Sequence, residues 1–389
     1  MREISNTPLN WSFVKIDDVC ERKSGHTPDK KIDEYWGGSI PWISLKDLNK
    51  LDKLYISNTV DYTTDEGINN SSAVLLPEGT VVVSRDANVG KVAITTLPMA
   101  TSQHFINYIC GEKYNNIFLY YLLLSKRNLF KRIAVGSTIV TIGVGFFKEL
   151  KVLQPPLAEQ KKIAKILSTV DNHIDEVDGM IEDLKELKKG LMQKLLTEGI
   201  GHKEFKDSPV GKIPVEWKVK KLREIVKICY GKDQKKVIDY NGKYSIFGTG
   251  GVIGRTNSWL HDKPSVLIGR KGTIDKPRYI DEPFWTVDTL FYTIVKDDYL
   301  AKWLYYAISN VDLNRYNEAT GVPSLSIGNL NNIKFSVPTM EEQIAIVRVI
   351  DSFEERIEIQ ENKHEDLKKV KKGLMQKLLT GELRVEVNE

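Results

Sequence analysis

KKGLMQKLLT occupies residues 188–197 and returns, letter for letter, at residues 371–380. The copies lie 183 residues apart. Carried backwards, the same offset aligns Leu184 with Leu367, Ile174 with Ile357, Gln160 with Gln343, Glu159 with Glu342 and Pro155 with Pro338. Ten identical residues with matched flanks mark an internal repeat, which sets the frame for every other element.

The long stretches ahead of each copy repeat more weakly. Pro8, Trp11 and Gly25 align with Pro214, Trp217 and Gly231 at an offset of 206. Arg85, Leu119-Tyr120-Tyr121 and Gly136 align with Arg270, Leu304-Tyr305-Tyr306 and Gly321 at 185. Between Gly25 and Arg85 the first half therefore carries 21 extra residues. The layout is head, connector, head, connector, at residues 1–155, 156–200, 201–337 and 338–389. The heads differ and the connectors do not. What the heads bind therefore differs between halves, while the connectors share one task.

Each connector opens with proline (Pro155-Pro156, Pro338) just before Glu-Gln. Proline suits a first helical turn, and carboxylates suit the positive end of the helix dipole. Apolar residues then recur in steps of four and three at Val170, Ile174, Val177, Ile181, Leu184, Leu191 and Leu195, with a break at Lys188. The second copy has Phe353, Ile357, Gln360, His364, Leu367, Leu374 and Leu378, with Lys371 at the break. This is a heptad seam, and roughly forty residues of helix make a rod of about 60 Å. A single such helix reads as a solvated bundle element. Two with one seam predict antiparallel pairing with each other, relating the halves by a pseudo-two-fold axis. The polar seam residues would restrict the register. His364 reads as a core or rim histidine rather than a metal ligand.

Composition narrows the class. At 389 residues, with 41% hydrophobic and 28% charged, the chain fits two or three globular domains. It has no run of eighteen apolar residues, and Met1-Arg2-Glu3-Ile4-Ser5 lacks the pattern of a secretory leader. Cys20, Cys110 and Cys229 form neither a disulfide framework nor a metal-spaced cluster, so a cytoplasmic setting is expected. The net charge of +4 is unevenly spread, with +2 and +7 on the heads and −2 and −3 on the connectors. A polyanion would prefer the heads.

Several features together resemble the specificity subunits of type I restriction–modification systems. They are Pro-Pro-Leu-x-Glu-Gln at 155–160 with Pro-Thr-Met-Glu-Glu-Gln at 338–343, the twin helices ending GLMQKLLT, Thr380-Gly381-Glu382-Leu383, and the Trp11 and Trp217 head starts. The resemblance covers essentially the whole chain. It implies mixed α/β heads (α+β) acting as two target recognition domains, joined by two long antiparallel coiled-coil helices. Each head would read one half of a bipartite, asymmetric site on double-stranded DNA. The helices would set the spacing and dock two methyltransferase subunits, with restriction–translocation subunits joining that core. The chain itself would be non-catalytic and hold no cofactor; S-adenosylmethionine, ATP and magnesium belong to the partners. Met192, Leu196, Met375 and Leu379 lie off the seam and are candidate methyltransferase contacts, the alternative being burial inside the helix pair.

Val81-Val82-Val83 and Val266-Leu267-Ile268 read as strands, and residues 116–131 and 300–309 as helices whose tyrosines belong to the core. The loops after the strands are the candidate DNA-facing segments. One offers Arg85, Asn88 and Lys91; the other offers Arg270, Lys271, Lys276 and the nearby Arg278. Arginine can fork onto guanine and asparagine onto adenine in the major groove. A structural ion pair is the competing reading for Arg85 and Arg270. Gln103 and His104, matched by Asp288 and Thr289, could also discriminate bases. Lys232, Lys235 and Lys236 are candidate phosphate contacts, or simply a solvated face. Lys46 lies in the extra region of the first head.

Phe247-Gly248-Thr249-Gly250-Gly251-Val252-Ile253-Gly254 lacks the spacing of a dinucleotide fingerprint and reads as a tight turn. Glu149-Leu150-Lys151 has no spaced carboxylate partner of the kind a nuclease centre needs. Two rival readings are an enzyme with an unrecognised site and a scaffold whose heads bind protein. Turnover by the lone chain would favour the first; DNA binding insensitive to salt would favour the second.

Overall fold

The computed structural model describes residue 8 and residues 10–387, so the leader reading of residues 1–5 lies outside the described part. Two compact units form, one of Met1–Asp178 with Asn362–Glu389, the other of Gly179–Glu361. They cut across the four segments of the repeat because each head packs against portions of both long helices.

In the first unit, the entry strand Ser12–Lys15 pairs antiparallel with the exit strand Lys151–Gln154, so the chain enters and leaves the head side by side. Between them runs a five-stranded sheet in the order Cys20–Ser24, Phe105–Cys110, Val81–Ser84, Val92–Thr95, Tyr55–Ile56. Both faces are covered. Val81 and Val83 join the core under the helix Asn116–Ser125, and Val82 joins a second core with Ile43, Leu51 and Phe105. Period-two alternation in a strand buried on both sides thus gives a continuous valine run. A three-stranded sheet adds Asp61–Thr63, Trp36–Ile43 and Ala100–Thr101. The helix read over 116–131 divides at Lys126 into Asn116–Ser125 and Arg127–Ile133.

The second unit repeats this plan. Lys218–Lys221 pairs with Lys334–Val337 at the neck, and a four-stranded sheet follows the order Val226–Tyr230, Leu290–Val295, Ser265–Gly269, Arg278–Ile280. The smaller sheet contains Gly251–Thr256, Tyr244–Gly248 and Phe284–Thr286. The glycine-rich string at 247–254 is the turn of an antiparallel hairpin, with Gly248 opposite Gly251. Two residues make that turn here. In the first head the equivalent connection runs over residues 44–60, carries Lys46, and supplies the fifth strand Tyr55–Ile56.

The long helices are Leu157–Glu198 and Met340–Leu378. Every seam position named from the sequence, including Lys188 and Lys371, is buried or half-buried. In the first unit Asp171 pairs with Lys371 at 2.5 Å and Asp178 with His364 at 2.9 Å. In the second, Lys185 pairs with Glu361 and Lys188 with Glu354, both at 2.6 Å. Numbers rise on one helix as they fall on the other, so the pairing in each unit is antiparallel.

Three residues of the repeat close each head onto its helices. Tyr121 donates to Asp171 at 2.7 Å, and Lys371 meets the same carboxylate. Tyr306 donates to Glu354 at 2.8 Å, and Lys188 meets that one. The tyrosine comes from the head, the acid from the helix that follows it, and the lysine from the other long helix. The Glu-Gln pair acts similarly. Glu159 accepts from the Trp11 indole at 3.2 Å and from Arg384 at 2.6 Å, while Glu342 accepts from Trp217 at 2.8 Å. Gln160 accepts the backbone N–H of Asn115, and Gln343 that of Leu300, each at 2.8 Å. These glutamates therefore fasten the head starts, a more specific task than complementing a helix dipole.

Candidate nucleic-acid interface

Arg85 leaves the central strand of the first head and stays half-buried. Its Nε lies 3.5 Å from Asp86 Oδ1, and its Nη2 lies 3.5 Å from Thr141 Oγ1. Asp86 gathers this corner, taking His104 Nδ1 at 2.7 Å and the Thr141 hydroxyl. The ion-pair reading of Arg85 thus has direct geometric support, and His104 is held at the same carboxylate. Asn88 is exposed at the tip, and Gln103 is exposed while accepting from Thr27 Oγ1 at 2.5 Å.

Lys91 requires a correction. It is only 4% exposed, and its ammonium donates to Leu48 O at 2.7 Å, so it holds the 44–60 connection from inside and is not presented to a duplex. Lys46 is exposed, pairs with Asp61 at 2.9 Å, and borders a surface groove with Lys30, Trp36 and Tyr62.

In the second head, Arg270 donates to Asp288 O at 3.1 Å and lies over the Tyr230 ring at 5.3 Å. Lys271 and Lys276 are exposed, whereas Arg278 begins the edge strand and is half-buried. Lys232, Lys235 and Lys236 are all exposed on the segment after Gly231. Gly231 itself permits a close crossing, since a Cβ there would overlap the backbone of Thr286 and Val287. The backbone N–H of Arg85 bonds His104 O, and that of Arg270 bonds Thr289 O, each at 2.9 Å. The sequence-matched pairs therefore flank the two arginines in both heads.

Leu196 and Leu379 also require a correction as candidate methyltransferase contacts: they are 7% and 2% exposed, buried under the heads rather than inside the helix pair. Leu196 belongs to the core that holds Trp217 and Trp303, and Leu379 to the core that holds Trp11 and Tyr121. Heptad spacing puts them off the seam, but a head covers the helix on that side. Met192 and Met375 are half-buried. Exposed in both copies of the identical string are Lys189, Gly190, Gln193 and Lys194, with Lys372, Gly373, Gln376 and Lys377; Thr380 is exposed in the second copy, while Thr197 is half-buried.

One pair of segments was not singled out from the sequence. Residues 134–143 fold back on the Arg85 loop, with Ala87 N–H donating to Val140 O and Ile142 N–H to Arg85 O, both at 2.9 Å. Residues 317–325 do the same in the second head, where Gly272 N–H donates to Pro323 O and Leu325 N–H to Arg270 O, again at 2.9 Å. The alignment of Gly136 with Gly321 was the available signal.

These features define a duplicated protein with two unlike α/β heads on shared paired helices. The model of the type I restriction modification DNA specificity domain matches it twice, at residues 8–186 and 214–369, and the chain belongs to that family. The MjaVIII type I restriction enzyme specificity subunit of Methanocaldococcus jannaschii is 31% identical over 409 residues, covering 97% of this chain and 94% of that one. The Escherichia coli EcoprrI specificity subunit is 23% identical over 360 residues, covering 88% and 87%. Among solved structures, the S subunit of a type I system from M. genitalium matches with a TM-score of 0.62 at 18% identity, over 99% of this chain and 98% of that one. A chain from work on complex assembly and conformational transition of the type I R-M system gives 0.64 at 16%, over 97% and 100%. These two show the shared fold.

Proposed function

We propose that this chain is the non-catalytic, DNA-reading subunit of a type I restriction–modification complex, each head reading one half of a bipartite asymmetric site. The observation that carries the reading is the contrast within the duplication. Identical helix strings close two heads whose exposed loops differ, as identical partners and different half-sites would require. The paired helices set the separation of the heads. Their exposed identical residues, from Lys189 to Lys194 and from Lys372 to Lys377, are the docking surface for two methyltransferase subunits. Met192 adds to it where it lines a groove of about 450 Å³ with Lys185, Ile357 and Glu358, and Met375 is its counterpart. Restriction–translocation subunits join that core. The chain needs no cofactor of its own; S-adenosylmethionine, ATP and magnesium serve the partners, and the complex works in the cytoplasm.

The test is to map methylated adenines in a cell expressing the complete system. An asymmetric two-part motif is expected, and exchanging the second head should change one part of it. A change in both parts would overturn the assignment of independent heads.

A further inference from the structure

Charged and polar side chains make up only part of the composite corner in the first head; aliphatic side chains are exposed there beside Asn88, Ser137 and Thr138. Val135 is 73% exposed, Ile139 51% and Val140 38%, all on the 134–143 loop bonded to the Arg85 loop. In the second head the matching loop exposes Val322 by 66%. A folded chain gains nothing by holding β-branched aliphatic side chains in water, so both heads presenting them at the same place calls for a partner.

The surrounding charge identifies that partner. Residues 113–148 contain Lys113, Lys126, Arg127, Lys131, Arg132 and Lys148 and not one carboxylate. Lys131 and Arg132 are exposed in the last turn of the helix Arg127–Ile133, which runs straight into the apolar loop. That helix also packs on the Arg85 loop, because a Cβ at Gly90 would meet Phe130 and Arg127. Over residues 263–278 the second head has Lys263, Arg270, Lys271, Lys276 and Arg278 against Asp275; the Val322 loop also carries Glu318, whose carboxylate is taken up by Ser326 and Asn329, and Lys271 bridges to Ser324 of that loop. Apolar tips set in cationic surrounds match a DNA groove, where phosphates flank base edges. In the major groove the apolar group on display is the thymine C5-methyl.

We infer that the loops 134–143 and 317–325 are the base-reading tips of the two heads. Val135, Ile139 and Val140 in one, and Val322 in the other, contact thymine methyl groups, while Lys131 and Arg132 hold flanking phosphates. Arg85 and Asp86 act as positioning residues that brace the first loop. The inference rests on the proposed DNA-reading role and deepens it.

The test uses the complex assembled with its methyltransferase subunits, on duplexes with and without the methylated motif, over a salt series. Replacing Val135, Ile139 and Val140 by serine should weaken binding to the motif by about tenfold or more, the order of loss that one mismatched base pair causes. Binding to unrelated duplex and the salt slope should stay as in the parent. The pair Lys131→Ala and Arg132→Ala should instead weaken both duplexes and flatten the slope. Val322→Ser, a single exposed change, should relax only the second part of the motif, and uracil in place of thymine there should mimic it. An unaltered motif preference in the triple variant or in Val322→Ser overturns the inference. A parent complex with no preference for any duplex would instead sink the DNA-reading role itself.

Discussion

Lys188 reaches Glu354 at 2.6 Å, and its copy Lys371 reaches Asp171 at 2.5 Å. The residue that interrupts the heptad in each helix is therefore the one that completes the polar contact at the other repeat's head. Each lysine also lies near the tyrosine of its triad, at 6.0 Å from the Tyr306 ring and 5.6 Å from the Tyr121 ring. A methionine in its place would pack well but would leave a half-buried carboxylate with only the phenol donor.

Lys371→Met should accordingly destabilise the protein by about 1–3 kcal/mol, below the cost of breaking a fully buried pair because both groups retain some exposure. Pairing it with Asp171→Asn should recover part of that loss. Urea unfolding of the four variants of the cycle measures the coupling, and strict additivity would mean that the pair contributes nothing.

Trp217→Phe keeps most of the buried ring and removes the indole donor to Glu342. That carboxylate still holds His202 Nε2 at 2.8 Å and Ile200 N at 3.0 Å. A loss of about 1.5–3 kcal/mol is expected for a hydrogen bond to a charged group. The proteolytic sensitivity of the 199–217 segment should rise with it, and unchanged stability would show that the clamp is dispensable.

Stability should fall at high pH. Burial, followed by the hydrogen bond to Asp171, holds the Tyr121 phenol far above its ordinary 10.0, and burial followed by bonds to Asp351 and Glu354 does so for Tyr306. The unfolded chain loses these protons near 10 while the folded chain keeps them. The stabilisation is thus complete below about pH 10 and is lost progressively above it. Replacing both tyrosines by phenylalanine should flatten the decline between about pH 10 and pH 11.5 in thermal melts. The same slope in that variant would point to other groups.

Lys232, Lys235 and Lys236 are exposed together, as phosphate contacts must be. Changing all three to alanine in the assembled complex should weaken binding to every duplex alike. The slope of log affinity against log salt should shrink by about 0.9 for each phosphate left without its lysine. A wild-type slope would make the segment merely a solvated face.

Much of this architecture is written locally. The repeat of KKGLMQKLLT, the heptad steps from Val170 to Leu195 and the valine run at 81–83 announce a duplicated chain with paired rods and β-rich heads. Such signals are legible because helix and strand periodicity impose themselves residue by residue. The burial of Leu196 and Leu379 is not legible in that way, since periodicity identifies one face of a helix and says nothing about a head closing over another. Lys91 escapes the sequence for the same kind of reason: an ammonium beside a glycine turn reads as solvated until the 44–60 connection folds across it and Leu48 offers a carbonyl.

By itself, the sequence determined that two unlike heads sit on matching helices, because identity and spacing survive in the linear order. Only tertiary structure decided that the first lysine of each identical string belongs to the opposite repeat's triad, and that the 134–143 loop shares a corner with Arg85. Those pairings join residues far apart along the chain, and their partners are chosen by packing and by the need to satisfy buried polar groups, which no local pattern encodes.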